Sequence, residues 1–429
     1  MLVVTANCAI GDGSLWRRPL RSLLPRAWGA VQRAALRAGF RGDGRYEPID
    51  RLDLVFAGDT FDLLGSRRWA SGDHRPWHRA TAAAAIRRDV AAAASRRAAG
   101  LVRLARRLVT DGLAVPAATR QGRPHLRLPT RVPVSITLLA GDRDGCLAPL
   151  GNWPAGLHWA DRWSGDHWQV EHGQRFDPLH GAGSGLPGEP PAVTQSLAVG
   201  LVARFAGQVT GELPPAAAGG RLLADNHPLD LADAFWHLLL PRVAAASLER
   251  ADRLADCWKR FVADWYREAV CEQVDVPAGF DFLGRLAAEL ATPGPPGRGT
   301  RLLAELCGPT VGPRPSPQPR PTAGLILGHL NETVATAAWS PLACRCLGPP
   351  AFRPAVGGVV PGETVGVSLV QPAGRSLPSS QPRALLAVAT DHGDHLETLD
   401  LTAASPTVTW RPDSSQVAGQ PPAHHSEAA

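Results

Sequence analysis

At 429 residues and 44% hydrophobic content the chain can bury a large core, which excludes a small stapled scaffold and points to one main domain with a substantial insertion. Its formal charge of +6 comes almost wholly from arginine, since Lys259 is the only lysine; that bias reads as a GC-rich genome and sets nucleic acid aside as a partner. Seven scattered cysteines, with Cys344 and Cys346 the one close pair, give no disulfide framework, and no apolar run is long enough to span a bilayer. Polar residues follow Met1–Thr5 at once, against a signal peptide, so a reducing, cytoplasmic setting is expected.

In chain order, the first buried strand is read at Leu2–Thr5, followed by Ala6-Asn7-Cys8. Next comes an acid-free segment in which Arg17, Arg18, Arg21, Arg26, Arg33, Arg37 and Arg41 alternate with Leu20, Leu23, Leu24, Trp28 and Val31. A basic amphipathic stretch of this kind suits peripheral contact with an anionic membrane, but Pro19 and Pro25 favour a solvated, partly irregular loop. Leu52–Ala57 reads as a strand ending at Gly58-Asp59, and Thr81–Leu113 as helix with Gly112 as its stop. Val134–Ala140 and Trp168–Glu171 are strands that run into Gly141-Asp142 and His172-Gly173.

A helical block covers about 196–291, with Leu254, Trp258, Phe261 and Trp265 on one face, most simply the packing face of an insertion. Proline and glycine mark 292–322 as a linker back to the sheet, where Leu325–Leu327 precedes Gly328-His329. Runs at Thr333–Ala338, Val365–Val370, Ala384–Val388 and Leu396–Leu401 suggest a second, largely antiparallel sheet, and the polar tail after Pro412 reads as disordered. The implied organisation is a core over 1–190 and 311–411, a helical insertion and proline-rich linker at 191–310, and a tail at 412–429.

Five of these strands, Leu2–Thr5, Leu52–Ala57, Val134–Ala140, Trp168–Glu171 and Leu325–Leu327, thus end beside a residue able to bind metal, or beside its remnant. Two-metal phosphoester hydrolysis needs carboxylates and imidazoles converging on ions about 3.5–4 Å apart, and a group that protonates the leaving oxygen. Asp59 and Asp142 are glycine-hinged carboxylates after strands, and His172 and His329 are imidazoles beside glycines. Taken alone, a Gly-Asp after a strand is ordinary turn chemistry; four such residues at successive strand ends carry more weight.

The blocks Gly58-Asp59-Thr60-Phe61-Asp62, Gly141-Asp142-Arg143-Asp144, His172-Gly173 and Gly328-His329 resemble, in order, those of the calcineurin-like metallophosphoesterase superfamily. The segments 58–64 and 171–178 are most similar to the branch containing UDP-2,3-diacylglucosamine pyrophosphatases. The resemblance implies a four-layer α/β/β/α sandwich with a helical insertion, Asp59 as bridging ligand, His172 and His329 on the second metal, and Asp142 in place of an asparagine ligand. It also implies a divalent ion of the manganese, iron or zinc class, and a phosphorylated small molecule or lipid-linked phosphoester as substrate.

Against that pattern, Ala6 and Cys8 stand where the first block has an aspartate and a histidine, and Asn331 where the last block has a second histidine. Cys8 and Asn331 are what remains of a first-metal site, so one metal is expected rather than two. Arg143 replaces the histidine that protonates the leaving group; it can grip phosphate but cannot act as a general acid. Two readings follow: a divergent metal-dependent phosphoesterase with an impaired or single-metal site, or a catalytically inactive relative that binds a phosphorylated ligand or a protein partner. Asp62, Asp144 and Asp177 are balanced between structural capping and a role at the site, while His158, His167 and His180 fall outside the matching blocks.

Overall fold

A computed structural model describes residues 1–302 except 6–7, 9, 16–19, 42, 71–72, 146–156, 166–167, 175–178, 181–186, 210–222, 224–229, 277–279 and 300. Beyond these it describes the strand backbones at 324–327, 344–347, 363–367, 385–389 and 396–400. The chain is α/β. A six-stranded sheet contains β1 (Leu2–Thr5), β2 (Leu52–Phe56), β5 (Val134–Leu139) and β6 (Leu157–Ala160), all parallel to their neighbours in that order. β12 (Leu385–Ala389) and β13 (Leu396–Asp400) extend it antiparallel beyond β1.

A five-stranded sheet places β8 (Trp168–Glu171) between β7 (Arg162–Ser164) and β9 (Gly324–Leu327), followed by β11 (Glu363–Val367) and β10 (Cys344–Leu347). The C-terminal strands therefore do not form the separate, largely antiparallel sheet expected from sequence. β11 and β10 pair in parallel with β9, while β12 and β13 join the first sheet. Apolar periodicity marks a strand but carries no information about which neighbour it will pair with. The expected strand at Thr333–Ala338 and the tail after Pro412 lie outside the described residues.

Helices connect the first-sheet strands. α1 (Leu20–Ala38) overturns the loop expected for the arginine-rich segment. It runs from Leu20 through Pro25. An interior proline costs about 3 kcal/mol, which is offset where Val31, Ala34 and Ala35 bury in one cluster with Val3, Leu52, Phe56 and Ile136 of the sheet. The helix expected over Thr81–Leu113 is two helices, α2 (Thr81–Arg97) and α3 (Ala99–Asp111), broken at Ala98 where neither glycine nor proline marks the site. Gly112 ends α3 at φ 72°, where a Cβ would come 2.6 Å from the Val132 carbonyl oxygen. Leu113 belongs to the next element, a two-stranded hairpin of β3 (Leu113–Ala118) and β4 (Pro124–Val132) that sequence periodicity did not reveal.

Between β8 and β9 lies a helical block with its own core. α4 (Val193–Ser196) continues through a π-helical stretch, Leu197–Ala203, into α5 (Arg204–Val209). α6 (Leu248–Cys271) and α7 (Phe280–Ala291) pack beside them. Ser247 caps α6 by accepting from the Arg250 N–H. Leu254, Trp258, Phe261 and Trp265 are buried on one face of α6, as the spacing predicts. Trp258 stacks on Phe235 with ring centroids 4.4 Å apart and donates its Nε1–H to the Leu290 carbonyl at 2.7 Å. Trp265 donates to Ser196 Oγ at 3.0 Å, so the buried indoles are satisfied as well as packed.

Candidate metal centre

The loops leaving β2, β5 and β8 meet, and the reason is visible in their glycines. Gly58 has φ 87°, and a Cβ on it would collide with the His172 ring; a Cβ on Gly141 would collide with the Asp59 carboxylate and main-chain nitrogen. Only glycine at these two positions lets the three loops close on one another. Asp59 itself adopts φ 49°, a left-handed conformation uncommon for a non-glycine residue. Its Oδ1 accepts the Arg143 main-chain N–H at 2.9 Å. Asp144, fully buried, ties the first two loops together by accepting from Phe61 N at 3.1 Å and Gly141 N at 2.8 Å.

Within this frame one ligand atom each from Asp59, Asp142 and His172 lies within 4.8 Å of the others, and all three residues are buried. His172 Nε2 is 3.0 Å from Asp142 Oδ1 and 3.6 Å from Asp59 Oδ2. The other ring nitrogen, Nδ1, is 2.9 Å from the Ala57 carbonyl oxygen. A carbonyl only accepts, so Nδ1 carries a hydrogen and Nε2 is the atom presented to the two carboxylates.

Comparison of the chain with family models, curated proteins and solved structures returned no match.

The electrostatics of the group favour a cation. Burial raises the Asp59 carboxyl well above its ordinary value, and the Asp142 charge raises it further. Burial also raises Asp144 to about 6, against the two backbone N–H groups that lower it. For His172, burial opposes protonation, but the Asp59 charge and the hydrogen bond and charge of Asp142 outweigh it and lift the imidazole to about 9. Two buried carboxylates beside one imidazole thus favour a positive charge in the space between them, and in the metal-free protein the group retains a proton to higher pH than its members would alone. A divalent cation fits the same place: the donor set is two carboxylates and an imidazole whose second nitrogen is already anchored, which suits metals that accept oxygen and nitrogen together.

The remaining residues singled out in the sequence fall as follows. Arg143 is half-buried beside the group, its Nε 3.8 Å from Asp59 Oδ2 and its Nη1 3.5 Å from Asp62 Oδ2. Asp62 also accepts the Gly65 N–H at 2.9 Å, so it both caps a turn and pairs with an arginine. Cys8 is not part of the metal-capable group; it packs against two apolar clusters. His329, Asn331, Ala6, Asp177 and His167 lie outside the described residues. His158 is exposed, and His180 is buried with Nδ1 3.1 Å from Thr194 Oγ1.

Sequence reasoning missed Gln195. In the first turn of α4, its Oε1 accepts the Ala192 N–H at 3.2 Å while its Nε2 donates to the Asp142 carbonyl at 3.1 Å. A buried side chain of the helical block thereby holds the backbone of a candidate ligand. The only signal available was a glutamine three residues after the start of a helix, a common capping arrangement with no functional content.

Proposed function

We propose that this chain is a divergent metal-dependent phosphoester hydrolase of the calcineurin-like metallophosphoesterase type, with a four-layer α/β/β/α core and a single-metal site. The convergence of Asp59, Asp142 and His172, buried and within 4.8 Å of one another, carries the reading. Leu327 of β9 is level with Glu171 of β8, and His329, two positions further on, is the natural fourth ligand. A divalent ion of the manganese, iron or zinc class would polarise a phosphate oxygen and activate water. Asp59 and Asp142 hold it as carboxylates, His172 as the neutral imidazole whose Nδ1–H is fixed on Ala57. Arg143, beside Asp59, orients the phosphate through its guanidinium.

Arg143 also motivates a second reading. A permanently charged group at the leaving-group position supplies no proton, and loss of a general acid alone costs about 10²–10⁴-fold in rate. On this reading the same site binds a phosphorylated small molecule or lipid-linked phosphoester without turning it over.

The test is hydrolysis of a generic phosphodiester and phosphomonoester by the purified chain with added manganese, beside the Asp59→Ala variant. Turnover above that variant supports the hydrolase. Bound metal with no turnover supports the binding protein, and absence of both rejects the site.

A further inference from the structure

We propose that the β3–β4 hairpin is a docking surface for an anionic lipid bilayer. Its base is fixed: Leu113, Val115 and Val132 are buried in the cluster that holds α1 on the first sheet. Tyr46 clamps it further along, donating its main-chain N–H to the Gly122 carbonyl at 2.7 Å and its hydroxyl to the Pro116 carbonyl at 2.9 Å. The outer part is different. Cross-strand pairing steps from Pro116 opposite Pro129 to Ala117 opposite His125, which leaves Leu126, Arg127 and Leu128 in a bulge with no partner position on β3. Leu126 is 76% and Leu128 57% exposed, among the largest exposures of an apolar side chain in the described residues.

Charge identifies the occupant. No acidic residue occurs from 112 to 141, while Arg120, Arg123, Arg127 and Arg131 are all exposed on the hairpin. The nearby acids Asp43 and Glu47 are engaged, Asp43 by the Arg45 main-chain N–H and Glu47 by Arg41. Two exposed leucines in a bulge, on a hairpin whose exposed charged side chains are all arginines, match the boundary of a bilayer: apolar side chains enter the acyl region and guanidiniums meet lipid phosphates. Self-association would bring like-charged arginines together. Nucleic acid offers leucine neither stacking nor hydrogen bonding. On α1, Val31, Ala34 and Ala35 are spent on the core, whereas Leu126 and Leu128 of the hairpin face solvent.

The experiment is co-sedimentation of the full chain with vesicles of phosphatidylcholine alone and of phosphatidylcholine mixed with phosphatidylglycerol. Binding is expected to the mixed vesicles only, and to weaken with salt. The Leu126→Ser/Leu128→Ser variant should bind at least about tenfold more weakly. Each arginine replaced by glutamine should cost roughly fivefold. All these side chains are exposed, so the variants should keep the wild-type circular dichroism. Failure to bind either vesicle overturns the proposal, as does unchanged binding by the leucine variant. A concentration-dependent dimer abolished by the same substitutions would also overturn it and assign the hairpin to a second copy.

Discussion

The Nδ1 of His172 lies 2.9 Å from the carbonyl oxygen of Ala57, two residues before Asp59. The strand end that delivers one carboxylate therefore also sets the tautomer of the imidazole facing it. A neutral His172 bonded in this way has its Nε2 lone pair directed between Asp59 and Asp142, where only a proton or a metal ion is a suitable guest.

Removing that nitrogen should remove the metal. His172→Ala is expected to lower affinity for manganese or zinc by more than the roughly 10–100-fold typical of an outer-shell partner. Isothermal titration of chelator-treated protein reads this directly.

Gln195→Ala tests the outer shell. The carbonyl of Asp142 loses the donor that holds it, and metal affinity should fall about 10–100-fold while the fold persists. A cobalt-substituted protein should show a shifted absorption spectrum in the variant, a change that general destabilisation would not produce.

His172 also sets a pH dependence. Its imidazole is raised from an ordinary 6.5 to about 9 in the metal-free protein. A group raised on folding stabilises the native state fully below its unfolded value and loses that contribution as pH climbs through the folded value. Chelated protein should therefore lose stability between about pH 6.5 and 9. His172→Gln should flatten that decline in urea unfolding. Metal competes with the same proton, so affinity should rise across the same window.

Two glycines of similar backbone geometry should respond differently to alanine. At Gly44, φ is 79° and a Cβ meets open space, so the cost is only that of the left-handed conformation, about 1–2 kcal/mol. At Gly58 the Cβ also strikes the His172 ring. Gly58→Ala should destabilise the protein further and abolish metal binding, whereas Gly44→Ala should leave metal binding intact; thermal unfolding with and without manganese separates the two.

Glu272 gives a pH test away from the metal group, where the helical block meets the segment before α2. Its carboxyl accepts the Trp77 indole N–H at 3.1 Å, and burial, with the neighbouring Glu268, raises it to about 7. The native state then holds a proton that the unfolded chain releases, so stability falls as pH rises from about 4.5 to 7. Glu272→Gln, which can still accept from Trp77, should remove this component from denaturant-derived stability measured across that range.

How much of this was legible in the sequence varies with the range of the interaction. β1, β2, β5 and β8 announced themselves as apolar runs, and those of β2, β5 and β8 stop at a carboxylate or imidazole beside a glycine, because strand burial and loop hinges are local properties. The packing stripe of α6 was readable for the same reason. The pairing of β10 to β13 was not, since sheet partners are chosen by long-range packing. α1 was misread because Pro25 was weighed without the core that Val31, Ala34 and Ala35 bury into. At the site, the three converging side chains could be named from their places beside glycines at strand ends and from the family resemblance, but Gln195 could not, because its partner is a main-chain carbonyl 53 residues away in sequence.

The most direct test is metal content. After incubation with manganese or zinc and removal of free ion, elemental analysis of the wild-type chain and of Asp59→Ala should show close to one divalent ion per wild-type molecule and far less in the variant. A wild-type protein without metal, or a variant that retains it in full, would contradict the assignment of Asp59, Asp142 and His172 as a metal centre.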